Sequence, residues 1–264
     1  MASRFSTWII ERFSNWLTKI VEPKRSYLSD YGKICQSIKP ADVILVSGRR
    51  RVSQIIRAVT QSAWSHAALY IGTINDIKDP ELAKIARHYY KGSAADNLLV
   101  ESEIGLGTII KPLQFYSEEH IRIARPSSLT SADADHVIAY AIRSLGKEYS
   151  LRHLLDLARF LMPWNIFPRQ WRSSLFSRNA LKPTEEICSA MIARAFASVN
   201  YPILPLVEYK MQRGYELTQR NPNLFTPSDF DYSPYFDIIK YPIFGDASKI
   251  PYHNLPWKAD EFSH

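Results

Sequence analysis

The chain has 264 residues, of which 46% are apolar and 22% charged, so it can form a hydrophobic core and is not generally disordered. Its net charge of +7 favours anionic partners such as phospholipid headgroups. The two cysteines, Cys35 and Cys188, are too few for a disulfide framework and are predicted to be free thiols in a reducing compartment.

The first predicted element is an amphipathic helix over residues 3–21. Its apolar positions recur at helical spacing and include Phe5, Trp8, Phe13 and Trp16. Residues 1–25 carry five Lys or Arg against two Glu, so this helix either binds an anionic membrane surface or packs on the protein's own core. We assign residues 1–38 to an N-terminal helical extension.

Residues 39–124 are predicted to form an antiparallel sheet with helical insertions. A buried strand over Asp42–Val46 precedes a helix marked by residues 52–59, and residues 75–96 form a polar, partly helical insertion. In the strand over His66–Gly72, the side chains of residues 66, 68 and 70 share one face. Further strands are predicted at Leu98–Glu101, Thr108–Ile110 and His120–Ala124.

Two helices are predicted in the second half of the chain. The first has Ser131 as its N-cap and Gly146 as its C-terminal stop. Its buried stripe consists of Val137, Ile138, Ala141, Ile142 and Leu145. The second helix spans Thr184–Ser198, and its stripe consists of Ile187, Met191, Ala195 and Phe196.

Prolines and aromatic residues dominate after Tyr201, and we expect an irregular segment that wraps around the domain. The order helix, sheet, helix, helix predicts an α+β fold. Residues 39–242 are assigned to one domain and residues 243–264 to a C-terminal tail. No apolar stretch is long enough to span a membrane, and charges interrupt the apolar N-terminus, so we expect a cytoplasmic protein, peripheral at a membrane if the first helix binds one.

Three residues stand where nucleophilic chemistry would need them. Cys188 lies at the start of a helical run, where the helix dipole favours a thiolate, although Glu185 and Glu186 would oppose it. His66 begins a strand and could accept the thiol proton. Glu101 ends a strand and could orient the histidine, with Glu103 as a competitor. Each residue alone also fits a structural role.

Other functional classes lack a motif. No metal-ligand spacing such as HExxH or CxxC and no glycine-rich phosphate loop is present, so we predict no metal and no cofactor. The basic run at residues 49–51 is predicted to be a solvated turn or an anion site. No helix-turn-helix, zinc-finger or aromatic–basic pattern accompanies it, and no nucleic-acid partner is expected.

The sequences around the candidate residues carry a more specific signal. They include WSHAALYIG around His66 and ICSAMIARAF around Cys188, with TPSDF downstream and LVESEIGLGTIIKPLQFY, IRIARP and LGKEYSLRHLLDL between them. Over roughly residues 40–242 this order resembles YiiX-like proteins, the permuted branch of the NlpC-type papain-like cysteine hydrolases (amidases). The histidine strand precedes the cysteine helix, the reverse of ordinary members. The resemblance implies a circularly permuted papain-like fold, whose central antiparallel sheet packs against the nucleophile helix.

The resemblance also implies roles for four residues. Cys188 would be the nucleophile, His66 the general base and Glu101 the third polar residue. Tyr149, in the sequence GKEY, would be an oxyanion donor beside the Cys188 backbone N–H. Ala190 stands where family members often have an acidic residue, which leaves no role for that acid here.

The expected reaction is thiolate attack on an amide or ester carbonyl, followed by release of the acyl group to water or another acceptor. A lipid or N-acyl substrate at a membrane surface is favoured by the helix over residues 3–21 and by the apolar, basic segment Leu151–Arg178, which is either a lid or a second layer of core. One alternative is a peptidase or amidase that acts on cell-wall peptides. Another is a non-catalytic, membrane-associated binding module on the same fold.

Overall fold

A computed structural model describes residues 19, 29–103, 106–147, 188–211 and 214–242, without the side chains of residues 51, 52, 59 and 188. The predicted helix over residues 3–21 lies outside this part except for Lys19, and so do Tyr149, the segment Leu151–Arg178 and the tail from residue 243.

Within the described residues, six strands form one antiparallel sheet in the order β4-β3-β2-β1-β5-β8, and β6 pairs with β7 in a separate two-stranded sheet. The strands are β1 (Val43–Ser47), β2 (His66–Gly72), β3 (Leu98–Glu103), β4 (Gly107–Pro112), β5 (His120–Pro126), β6 (Leu206–Lys210), β7 (Gly214–Thr218) and β8 (Phe236–Ile239). β1 lies inside the sheet, and its first four residues are buried on both faces, as its continuous apolar sequence predicts.

Helices and short 3₁₀ turns connect these strands. The helices are α1 (Tyr31–Ser37), α2 (Arg51–Thr60), α3 (Pro80–Tyr89), α4 (Ser131–Arg143), α5 (Cys188–Ala197) and α6 (Pro227–Tyr232). The 3₁₀ turns are Ile74–Asp76, Leu113–Tyr116 and Pro222–Leu224. Among the described elements, no helix is both long and apolar enough to cross a membrane.

The N-cap of α4 differs by one residue from the prediction, and the helix ends at Arg143, before the predicted stop at Gly146. Thr130, rather than Ser131, is the N-cap, because its hydroxyl accepts a 3.1 Å hydrogen bond from the backbone N–H of Asp133. Gly146 follows the helix with a φ of +80°, the left-handed conformation that glycine adopts without strain.

Two apolar cores lie on opposite faces of the sheet, because side chains alternate along each strand. In β2, Ala67, Leu69 and Ile71 belong to the first core, whereas Ala68 and Tyr70 belong to the second. Helices α4 and α5 cover the first core with the apolar residues that the sequence predicted for their buried stripes, apart from Ile187, which lies outside the described residues. The second, smaller core is covered by α1 and by the 3₁₀ turn after β4.

The region after Tyr201 is more regular than predicted. β8 pairs with β5 and becomes an edge of the main sheet. Phe236 at the start of β8 is buried edge-on against the rings of Phe196 and Phe230. The prediction of an irregular wrapping segment was therefore wrong here, because aromatic packing and sheet pairing hold a strand too short to show a clear period.

The segment before β1 also contacts the domain. Ile34 of α1 is buried in the second core, and the backbone N–H of Asp30 donates to the carbonyl of Tyr241 over 2.7 Å. Residues 29–37 thus pack against the sheet, although the sequence grouped them with the extension over residues 1–38. The sheet with α5 against it, preceded along the chain by the strand of His66, confirms the predicted α+β fold in permuted order.

Candidate active site

His66 and Glu101 contact each other across two neighbouring strands. His66 is the first residue of β2, and Glu101 lies in β3. Nε2 of the ring is 3.1 Å from Oε2 of the carboxylate. Since a carboxylate only accepts, this contact assigns the proton of a neutral imidazole to Nε2 and leaves Nδ1 as the basic nitrogen. The contact therefore leaves His66 with a basic nitrogen, which a general base needs.

Burial differs sharply between the two side chains. The Glu101 side chain is 1% exposed, whereas that of His66 is 21% exposed at the end of its strand. The carboxylate thus lies in the protein interior while the ring reaches the surface. A base at this position can meet both a thiol and a substrate.

Two further side chains contact the Glu101 carboxylate. The hydroxyl of Tyr116 donates to Oε2 over 2.7 Å. Nζ of Lys111 lies 2.9 Å from Oε1, outside hydrogen-bond geometry, so its effect is that of a nearby charge. Burial opposes ionisation, but His66, Lys111 and Tyr116 together lower the pKa of Glu101 to about 2. The carboxylate is therefore charged at neutral pH.

Glu103, the competing carboxylate, has other partners. It pairs with Lys111 and accepts a 2.7 Å bond from Nη1 of Arg50. Arg49, the neighbour of Arg50, pairs with Glu119 at 3.3 Å. Where their side chains are described, the arginines of the basic run thus pair with carboxylates.

The predicted nucleophile begins α5, which packs against β2 and β3. Two side-chain bonds connect the start of this helix with the start of β2. The hydroxyl of Ser189 donates to the carbonyl of Phe225 over 2.6 Å. Six residues later, Asp231 accepts a 2.9 Å bond from Nε1 of Trp64, two residues before His66. The structure therefore brings the helix of Cys188 to the strand of His66.

The other sequence predictions for the site stay predictions. The side chain of Cys188 lies outside the described part, as do Tyr149, Glu185 and Glu186. The structure thus joins His66 with Glu101 but does not describe the thiol or the oxyanion donor. Cys35, in α1, is a free thiol.

Sequence reasoning missed Tyr116 and Lys111. Register provides a signal for Lys111, because Ile109 pairs with Glu101 and Lys111 is therefore a diagonal neighbour on the same face. Tyr116 is fifteen residues from Glu101 and reaches it only because a 3₁₀ turn follows β4. No period in the sequence predicts that contact.

Comparison with known proteins gives one family match. Residues 37–159 match the family of permuted papain-like amidase enzymes, YaeF/YiiX, C92 family. The matched range includes His66 and Glu101 and ends before Cys188. It supports an enzyme of the cysteine hydrolase or amidase kind.

Among solved structures, the chain resembles the crystal structure of metalloprotein yiiX from Escherichia coli O157:H7. The two are 14% identical, with a TM-score of 0.45, over 76% of this chain and 96% of that chain. No curated protein matches the chain. Within the described residues of this chain, no three His, Cys, Asp or Glu side chains lie close enough together to hold a metal ion.

The family match covers β1 to α4, the part of the chain that carries both His66 and Glu101. The motifs around these two residues predict the same family. Over residues 37–159, the chain is similar to the permuted papain-like amidase family.

Proposed function

We propose that the protein is a cysteine-dependent hydrolase that cleaves an amide or ester bond through an acyl-enzyme. The observation that carries the proposal is the contact between His66 and the buried, charged Glu101, beside the helix that begins at Cys188. A buried carboxylate is costly unless it is paired, and here one of its partners is a partly exposed imidazole. That arrangement suits a base that becomes positively charged during a reaction.

In the proposed reaction, Nδ1 of His66 takes the proton of the Cys188 thiol. The thiolate attacks the carbonyl carbon, and Glu101 stabilises the imidazolium that forms. Nδ1 then gives its proton to the leaving nitrogen or oxygen, and a thioester remains on Cys188. A water molecule, deprotonated by the same nitrogen, releases the acid. Tyr149 and the Cys188 backbone N–H are the proposed donors to the oxyanion.

For the substrate, we propose a lipid or N-acyl compound at an anionic membrane surface, with transfer to an acceptor other than water as a variant of the last step. The basic, aromatic sequence over residues 3–21 and the apolar segment Leu151–Arg178 support this choice. A third observation comes from the ribbon of β6 and β7.

The β6–β7 ribbon has one apolar and one polar face. Val207 pairs with Leu217 and Tyr209 with Tyr215, and all four side chains are more than half exposed. The alternate positions form the more polar face, where Lys210 pairs with Glu216 and where Leu206 is the exposed apolar exception. An uncovered two-stranded ribbon is only marginally stable in water. Because tyrosines favour the headgroup region of a bilayer, this apolar face fits a membrane surface.

Labelling with a thiol-directed acyl probe tests the reaction. We expect the Cys188→Ala and His66→Ala variants to lose labelling and the Cys35→Ala variant to keep it. Equal, slow labelling of both cysteines, indifferent to His66, would contradict the enzyme and favour a binding module.

Co-sedimentation with anionic liposomes tests whether the protein binds a membrane surface. The full chain should bind, and a chain without residues 1–25 should bind less. If neither form binds at low or high salt, the lipid substrate loses its support and cell-wall peptides become the first substrates to screen.

A further inference from the structure

Besides His66, two side chains hold the Glu101 carboxylate. We propose that Tyr116 and Lys111 are positioning residues that keep this carboxylate ionised and directed at the His66 ring. The inference rests on the proposed function, because these residues would act on Cys188 only through Glu101 and His66.

Tyr116 contacts the same oxygen of the Glu101 carboxylate as His66 does. Its hydroxyl and the His66 ring both contact Oε2, at 2.7 and 3.1 Å. The Tyr116 ring is buried in the second core and packs edge-on against Phe115. Burial and the charge of Glu101 raise the pKa of Tyr116 well above its ordinary value, so its hydroxyl remains a donor. The bond therefore restricts rotation of the carboxylate at every pH where the protein would work.

Lys111 acts on the other oxygen. Its ammonium lies 2.9 Å from Oε1 without hydrogen-bond geometry, and it also pairs with Glu103. It lies 4.3 Å from the centre of the Phe115 ring, which covers it on one side. The side chain is 14% exposed, so solvent screens its charge only partly. Lys111 can thus stabilise the ionised form of Glu101 without competing for Oε2.

The charges around Glu101 come from several elements and balance each other. Lys111 of β4 lies between Glu101 and Glu103, and Arg50, before α2, pairs with Glu103 at 2.7 Å. Two carboxylates therefore face two basic side chains. His66 of β2 adds its imidazole ring to this described cluster through Oε2 of Glu101. A proton on His66 then meets a carboxylate that is already ionised and fixed.

The test compares Tyr116→Phe with Tyr70→Phe in the full-length Cys35→Ala chain. Tyr70 is a matched control, because it lies in the same core and its hydroxyl bonds Asn97 at 2.7 Å, not Glu101. We expect Tyr116→Phe to slow alkylation of Cys188 at pH 7 about tenfold. It should also raise the pKa of the Glu101 carboxyl, followed by ¹³C NMR, by about one unit. Tyr70→Phe should change neither quantity.

The role of Lys111 is tested by removing or keeping the positive charge of its side chain. Lys111→Met should raise the pKa of the Glu101 carboxyl in the same NMR titration, and Lys111→Arg should keep it low, because the positive charge is retained. Circular dichroism establishes that each variant is folded.

Two kinds of failure can be told apart. If Cys188 of the parent chain is alkylated no faster than an ordinary thiol, and His66→Ala does not change that rate, the proposed function fails. If Cys188 is activated but Tyr116→Phe leaves its alkylation rate unchanged, or Lys111→Met leaves the carboxyl pKa unchanged, the positioning role fails alone. A raised carboxyl pKa without slower alkylation would also overturn it.

Discussion

Replacing Glu101 with glutamine removes the charge of the buried carboxylate while keeping its shape. In the structure, three donors face its two oxygens: His66 and Tyr116 at Oε2, and the Lys111 ammonium near Oε1. Glutamine has one oxygen and one NH₂ group, so whichever way its amide turns, a donor faces a donor. The variant must therefore lose either the contact with His66 and Tyr116 or the one with Lys111.

The expected loss follows from the contact with His66. A hydrogen bond to a charged group contributes about 1.5–3 kcal/mol. If this contact is formed with the imidazolium in the transition state, Glu101→Gln should slow acylation of Cys188 about 10- to 150-fold. The assay is the rate of labelling by the acyl probe at pH 7. Glu103→Gln is the matched control, because Glu103 lies on the same strand and contacts Lys111.

The same carboxylate predicts a pH dependence of stability. The pKa of Glu101 is lowered from 4.5 to about 2 in the folded protein, so its contribution is present above pH 4.5 and is lost as the pH falls towards 2. The melting temperature of Glu101→Gln should thus depend less on pH across this window than that of the parent chain. Unchanged labelling and an unchanged acid profile in Glu101→Gln would refute the assignment of Glu101.

Three further predictions concern the rest of the molecule. Arg125→Leu should destabilise the fold by about 3 kcal/mol in urea unfolding, because Asp42 is 1% exposed and would lose both of its Arg125 contacts, at 2.9 and 2.7 Å; an equally stable variant would contradict this. Phe230→Ala should cost about 3–5 kcal/mol in the same assay, since the ring is fully buried, and a cost below 1 kcal/mol would mean that the core closes around the gap. Leu217→Asp should weaken liposome binding more than Thr218→Asp on the polar face of the ribbon, and equal effects would contradict membrane contact.

The sequence predicted five of the six strands in the main sheet, because those five are short, apolar and separated by clear breaks. The predicted strand His66–Gly72 has the same bounds in the structure, and the face shared by Ala68 and Tyr70 is the second core. The stripe of α4 was equally clear, since a period of 3.6 residues distinguishes a buried helix face from a strand. The local sequence pattern was sufficient to predict an element wherever that element buries one continuous set of side chains.

The environment of the candidate site could be predicted only in part. Glu101 was preferred to Glu103 from its motif, and the structure shows the physical difference: Glu103 pairs with Arg50 and Lys111. Neither contact follows from local sequence, because the arginine precedes β2 and the lysine lies on the next strand. Tyr116 was missed for the same reason. The partners that set the charge of a buried group come from segments that meet only in the folded chain.

Although the order of the chain is permuted, the proposed reaction still requires the thiol of Cys188 to lie close to the His66 ring. His66 is the first residue of its strand, and its face of the sheet is the one that α5 does not cover. We therefore expect a thiol at the start of α5 to reach the ring around the end of the sheet, where β2 begins. The bonds from Ser189 to Phe225 and from Trp64 to Asp231 tie both starts to the segment that forms α6. The sequence TPSDF, far from either residue along the chain, begins this helix. Trp64→Phe, which removes one of these bonds, should therefore slow labelling of Cys188 even at temperatures where the variant is fully folded. A lower melting temperature without slower labelling would refute this role.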